Sequence, residues 1–168
     1  MKKRGFTLIE LAMVIVLIGI LGVASYVATN YLYPIKVKVV AQKVASDIRY
    51  VQSLAMASSE VYGIAFNMNP VNSYVVYKGT SATPIADPLR PSQNYVVDFM
   101  NAGTNEYKGA EIIGAYFNGT QEIRFNSYGT PLDAASAELA SDGRVTLWLR
   151  GEYASVEVTA VSGKTKVL

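Results

Sequence analysis

The chain opens MKKRGFTLIELAMVIVLIGILGVASYVATNYLYPI over residues 1–35, and this stretch decides how the rest is read. Lys2, Lys3 and Arg4 stand before Gly5, Glu10 follows, and from Leu11 to Ile35 no residue is charged. As a helix that uncharged run would rise about 37 Å, more than the roughly 30 Å of a bilayer's hydrocarbon core. The length therefore predicts a membrane-crossing helix with the basic end on the cytoplasmic side. A cleaved secretory signal would need only 7 to 15 apolar residues, and a buried core helix would be shorter. An ordinary anchor explains the length and the flanking cations but not Glu10, because a carboxylate inside an apolar segment costs a few kcal/mol unless it has a partner.

Composition narrows the chemistry. The chain has 168 residues with 15 Lys plus Arg, 13 Asp plus Glu, no His and no Cys. Without Cys or His there are no thiolate nucleophiles, no disulfides, no Cys or His zinc sites and no imidazole-based triad. Carboxylate, Lys or Ser chemistry survives, but no set of such residues converges, so an enzyme is not expected. A hydrophobic share of 51% with only 17% charged residues excludes a disordered chain. It also implies apolar surface hidden somewhere other than in a core. Three of the 15 cations sit in the first four residues, and without residues 1–5 the side-chain balance moves from +2 to 12 basic against 13 acidic, or −1.

The ten residues KKRGFTLIEL, Lys2 to Leu11, resemble the N-terminus of the type IV prepilin family, which includes the pilins and the pseudopilins of type II secretion. The likeness runs over about the first 30 residues: a basic leader, Gly5 before a cut, Phe6 as the new first residue, and Glu10 as the fifth residue of the mature chain. The resemblance implies removal of residues 1–5 by a membrane prepilin peptidase and N-methylation of the Phe6 amine by the same kind of enzyme. It implies a single-pass protein of the bacterial inner membrane with a cytoplasmic N-terminus and a C-terminal domain on the periplasmic or extracellular side. From there the subunit passes, through an inner-membrane assembly platform, into a pilus or pseudopilus with other pilin-like subunits. Membrane lipid is the partner before assembly. Glu10 would pair with the Phe6 amine of a neighbouring subunit, satisfying both charges where water is scarce. The helix-breaking Pro usual in the family is replaced here by Val27, and the first Pro is Pro34, which should kink the helix or end a first segment near Tyr33.

Beyond Pro34 the pattern changes. Val37, Val40, Val44, Ile48, Val51 and Ala55 recur at helical spacing, while Lys36, Lys38, Lys43, Asp47 and Arg49 lie mostly elsewhere and read as a solvated face. From Ser58 the period becomes two. YGIAFN (Tyr62 to Asn67) and SYVVYK (Ser73 to Lys78) read as a hairpin pair. Residues Gly79 to Asn94, with three of the six Pro, read as a surface loop, and strand character resumes from Tyr95 to Met100. Asn118-Gly119 is a hairpin turn between GAYF and EIRF, Asp142-Gly143 precedes GRVTLWL, and Gly151 to Tyr153 links that strand to SVEVTAV. The expected fold is α+β: a long N-terminal helix packed on a mostly antiparallel sheet of about seven strands. Its divisions are a leader 1–5, an apolar assembly helix 6–35, an amphipathic helix half 36–58 and a β-rich domain 59–168.

The run IRFNSYGTP (Ile123 to Pro131), GRVTLWL, the terminal VEV strand and an SGK turn are similar to the minor pseudopilins related to the type II secretion H component and to FimT-like minor pilins. The resemblance implies a structural subunit, and it keeps open an adhesive or DNA-binding minor pilin and a major pilin. For DNA the candidate cations are Arg144, Arg150, Lys164 and Lys166, set against Glu152 and Glu157; this footprint is too weak to favour nucleic acid. Asp133, Glu138 and Asp142 lack the dense spacing of a calcium loop, so no metal or cofactor is expected. Asn118-Gly119-Thr120 matches a glycosylation acceptor that the turn already explains.

Overall fold

The computed structural model describes residues 7–30, 32–67, 72–100 and 107–168. The chain forms two compact units, Met1–Tyr33 and Pro34–Leu168. The first is built on helix α1 (Leu8–Asn30). Its described side chains end at Val23, a run of about 24 Å at 1.5 Å per residue. Among the described residues no helix is long and apolar enough to cross a membrane.

The second unit begins at Pro34, within α2 (Leu32–Ser58). All six residues of the expected apolar face, Val37 to Ala55, are buried, together with Ala41 and Ala45. Asp47 departs from the expectation of a solvated position: it is 4% exposed. The spacing explains why, since Val40, Val44, Asp47 and Val51 step by 4, 3 and 4 and so share one helical arc.

Among the described residues eleven strands follow, all paired antiparallel, more than the seven or so expected. They are β1 (Tyr62–Asn67), β2 (Ser73–Lys78), β3 (Ala86–Asp87), β4 (Arg90–Asn94), β5 (Val96–Asp98), β6 (Glu111–Tyr116), β7 (Glu122–Phe125), β8 (Pro131–Leu132), β9 (Gly143–Leu149), β10 (Glu152–Val158) and β11 (Thr165–Val167). A five-stranded sheet has the order β5-β2-β1-β7-β8, a four-stranded sheet the order β11-β10-β9-β6, and β3-β4 is a separate ribbon. The β1–β2 hairpin forms in the register Tyr62 to Lys78 through Asn67 to Ser73. The span Gly79 to Asn94 is only partly a loop, because it contains the ribbon, whose second strand is exposed at every residue. Tyr95 is buried just outside β5.

The Asn118-Gly119 turn takes the two positive φ values, 50° and 81°, that a type I′ turn needs. Its flanking strands are nonetheless not hairpin partners: β6 pairs with β9 and β7 with β1, so the turn carries the chain from one sheet to the other across a single Phe117–Thr120 bridge. The β9–β10 hairpin closes one residue earlier than expected, at Arg150-Gly151 between Leu149 and Glu152. Apolar side chains from both sheets face inward, including Ile64, Phe66, Ile123 and Phe125 from the first and Val145, Leu147, Val156 and Val158 from the second. Full burial of such side chains stabilises by about 1.5 to 3 kcal/mol each. Phe66 links the layers, stacking on Phe117 at 6.0 Å and tilting against Tyr74 at 5.7 Å.

Candidate functional site

Gly5 and Phe6 lie outside the described residues. Glu10 sits in the first turn of α1, exposed to solvent. Its backbone N–H donates to Thr7 Oγ1 at 3.3 Å, while the Thr7 N–H donates back to Glu10 Oε2 at 3.4 Å. This reciprocal pair is a capping box: Thr7 supplies the side-chain cap, and the carboxylate favours the positive end of the helix dipole. The Thr-x-x-Glu spacing announces it in the sequence. Glu10 thus has a local role that does not require burial.

From Leu8 to Val23 the large apolar side chains of α1 are all exposed, between 45% and 87%. A soluble surface helix would confine such residues to one stripe; apolar residues around the whole circumference call for lipid or other helices on all sides. Gly19 and Gly22 have open space at their Cβ positions, so another chain can approach the helix backbone closely there.

In the second unit, charged and polar groups are organised for structure. Asp47 receives two hydrogen bonds from Lys43 Nζ, at 2.7 and 2.8 Å, and one from the Tyr74 hydroxyl at 2.5 Å. Lys43 also donates to Tyr95 Oη at 3.0 Å and lies 5.2 Å from the centre of that ring. Burial, then the charge of Asp47 and its hydrogen bond, push the Tyr74 phenol well above its ordinary pKa. Tyr95 is raised for the same reasons, burial first. Lys43, expected on the solvated face, therefore ties α2 to the β5 end of the five-stranded sheet, whereas Lys36 and Lys38 are exposed as expected.

A second cluster covers the outside of that sheet. Gly63 stands between Tyr77 and Arg124 in register, and the Tyr77 ring lies where a Cβ on Gly63 would be. The Tyr77 hydroxyl donates to Glu122, and Arg124 Nε donates to both Glu122 Oε1 at 2.7 Å and Tyr77 Oη at 3.1 Å. Burial, followed by the bond to Glu122, raises the Tyr77 pKa.

The acidic candidates are also occupied with structure. Asp133 accepts from the N–H groups of Ala135 and Ala137 and from Asn118 Nδ2, and the Asn118 bond, then the Ala137 bond, holds its pKa below the ordinary value. Asp142 accepts from Ala160 N–H at 2.9 Å. No group of three or more acidic residues that could hold a metal ion occurs among the described residues. The Asn118 amide, besides binding Asp133, donates to the Glu138 carbonyl and accepts from Ala140 N–H, so modification at this acceptor sequence would dismantle the turn. Of the nucleic-acid candidates, Arg144 pairs with Glu157 at 2.9 Å, and Lys166 lies opposite the same Glu157 in register.

Residues 1–26 match the family described as the prokaryotic N-terminal methylation motif. No curated protein sequence matches the chain significantly. Among solved structures, the minor pseudopilin EpsH from the type 2 secretion system of Vibrio cholerae superposes with a TM-score of 0.55 at 12% identity, covering 79% of this chain and 96% of that one. The type IV minor pilin FimU of Pseudomonas aeruginosa PAO1 superposes with a TM-score of 0.51 at 14% identity, covering 79% and 87%. At such identities the likeness shows the fold. The chain joins a prepilin-type N-terminus to the α+β fold of minor pilins and pseudopilins.

Proposed function

We propose that the chain is a pilin-like subunit, stored in the inner membrane through α1 and assembled through the same helix into a type IV pilus or a type II secretion pseudopilus. The observation that carries this reading is the methylation motif running directly into a helix whose apolar side chains are exposed all round. The mechanism follows from the residues. A peptidase on the cytoplasmic side cuts after Gly5, where the lack of a Cβ gives close access to the backbone. The cut exposes the Phe6 amine, which is then N-methylated and remains cationic.

In the fibre, Glu10 exchanges its intramolecular Thr7 contact for the Phe6 amine of a neighbouring subunit. A buried carboxylate left without that partner would cost about 3 to 5 kcal/mol, which makes the pair a check on assembly register. The neutral side chains at positions 11–35 hold the chain in lipid until the assembly platform extracts it. The role is structural, not enzymatic.

Intact-mass measurement of the membrane-extracted protein tests the processing step. The expected product lacks residues 1–5 and carries one methyl group, whereas an unmodified Met1 would reduce the chain to an ordinary anchored protein. For assembly, Glu10→Ala should stay in the membrane fraction and fall out of the fibre; wild-type incorporation would sink the role given to Glu10.

A further inference from the structure

The outer face of the four-stranded sheet is shaped by strand register. On β9 and β10 the side chains of Val145, Leu147, Val156 and Val158 are buried, so Arg144, Thr146, Trp148, Tyr153, Ser155 and Glu157 alternate outward. A register shift at Ile113 keeps Glu111, Gly114 and Tyr116 of β6 in step with them. Three rows cross the strands as a result. Trp148 stands between Glu111 and Tyr153, Thr146 between Gly114 and Ser155, and Arg144 between Tyr116 and Glu157, with Lys166 beyond Glu157. The first and third rows are four residues apart on β9, about 13 Å at roughly 3.3 Å per residue. Between them the residues Gly114, Thr146 and Ser155 are small, so the face is a trough with one aromatic wall and one wall of Tyr116 and charged groups.

The floor is low without a backbone reason. Gly114 does not have the positive φ that would call for glycine, and a Cβ there would only come into ordinary contact with Thr146, at 3.9 Å. Its effect is to leave the space above Thr146 open. The walls are equally open: Tyr116 is 56% exposed, Tyr153 65%, and Trp148, the one tryptophan of the chain, is partly exposed. Among the described residues the Trp148 indole N–H and the Tyr116 and Tyr153 hydroxyls have no hydrogen-bond partner. Trp and Tyr join an apolar ring to a polar tip, so these walls offer stacking and hydrogen bonding side by side.

The chemistry of the lining selects the ligand. The basic side chains Arg144 and Lys166 are matched by Glu111 and Glu157, and Arg144 is paired with Glu157 at 2.9 Å. A balanced face gives no pull to a phosphate-bearing ligand. An apolar protein surface laid over it would bury that charged pair together with the hydroxyls of Thr146 and Ser155, which are 3.4 Å apart. Both burials oppose binding unless new polar partners arrive. A pyranose ring supplies them, because it carries C–H groups on its faces and hydroxyls around its rim. We propose that this trough binds a neutral saccharide chain, with sugar rings against Trp148 and Tyr153 and their hydroxyls on Thr146, Ser155 and the Arg144–Glu157 pair. Such binding is separate from the assembly role given to the N-terminal helix and would stand without it.

Trp148 is its own reporter. The full-length chain, extracted in lauryldimethylamine oxide so that no sugar headgroup competes, is titrated with cellohexaose and with chitohexaose while tryptophan emission is recorded. The expected result is a saturable change in emission with at least one of them, with a Kd of about 1 mM or tighter, insensitive to salt. Tyr153→Ala should weaken that binding about tenfold, and Ser155→Leu, which fills the trough, should abolish it. Tyr128→Ala, at an exposed turn residue outside this face, should leave it unchanged, with circular dichroism confirming the fold of all three variants. No saturable change up to about 10 mM of either oligomer would overturn the proposal. So would an equal loss in Tyr128→Ala, a response to heparin alone that salt removes, or a Trp148 shift seen only when the chain is assembled with other subunits, which would make the trough a protein interface.

Discussion

Asp47 shows what one residue does in this fold. It is buried, it holds Lys43 and Tyr74 together, and its removal would strand a partly buried ammonium and a buried phenol. Asp47→Ala should therefore lower stability by about 3 kcal/mol, read from urea denaturation of the extracted chain, the lower end of the range for breaking a buried pair because Lys43 keeps some solvent. Titration adds a pH dependence with two limbs. Burial pushes Asp87 up, but the Leu89 N–H and the Arg90 pair outweigh it, and Asp133 is likewise held low by Asn118 and the Ala137 N–H. The stability these lowered carboxyls add is complete above about pH 4, the ordinary carboxyl value, and is lost as pH falls through their folded values. The raised phenols of Tyr74, Tyr77 and Tyr95 act in the opposite range. Folded, they keep their protons while the unfolded chain ionises, so stability is complete below about pH 10 and declines above it. The urea midpoint should fall at both extremes, and Tyr74→Phe should flatten the alkaline limb; an unchanged limb would show that its phenol titrates alike in both states.

Whole elements differ in how far local sequence determines them. The buried arc of α2 is legible because helical spacing is a local signal, and Asp47 follows its position between Val44 and Val51 rather than its charge. The Asn118-Gly119 turn was legible for the same reason: the demand for two positive φ values falls on two adjacent residues. Sheet membership is not local. Nothing in GAYF states that it will pair with GRVTLWL, more than 25 residues away, in preference to the adjacent EIRF. The β3–β4 ribbon has no sequence signature because a strand exposed at every residue shows no alternation; its turn is set by Asp87, which accepts from Leu89 N–H at 2.9 Å and pairs with Arg90. A turn that moves the chain between sheets should be less replaceable than a simple hairpin loop. Asn118→Ala removes three hydrogen bonds and places a Cβ-bearing residue without Asn's tolerance at φ 50°. A loss of about 2 to 3 kcal/mol is expected by thermal or urea denaturation. A loss under about 0.5 kcal/mol would mean the turn forms without its side chain.

At the scale of the molecule, the two units divide the labour that the composition had blurred together. The N-terminal motif is legible in the sequence because its basic residues, Gly5, Phe6 and Glu10 follow one another along the chain, and the Thr7 cap on Glu10 is equally local. Lys2, Lys3, Arg4 and Glu10 all precede Pro34, so the second unit holds 12 of the 15 basic and 12 of the 13 acidic residues and is neutral. Among the described residues five of its 12 cations are in ion pairs: Arg144 with Glu157, Arg124 with Glu122, Lys43 with Asp47, Lys78 with Glu60 and Arg90 with Asp87. Because the apolar arc of α2 is buried against sheets of the same unit, a chain beginning at Pro34 should be soluble and unfold in one cooperative transition. Neutrality and paired cations make the same chain a poor ligand for a polyanion, whose affinity depends on the number of cations free to displace counterions. Fluorescence anisotropy with duplex DNA at physiological salt should show no binding tighter than about 1 μM, the weak limit typical of non-specific contact. Submicromolar, salt-dependent binding would instead make this unit a nucleic-acid receptor displayed by the fibre, with Lys164 and Lys166 as the first residues to replace.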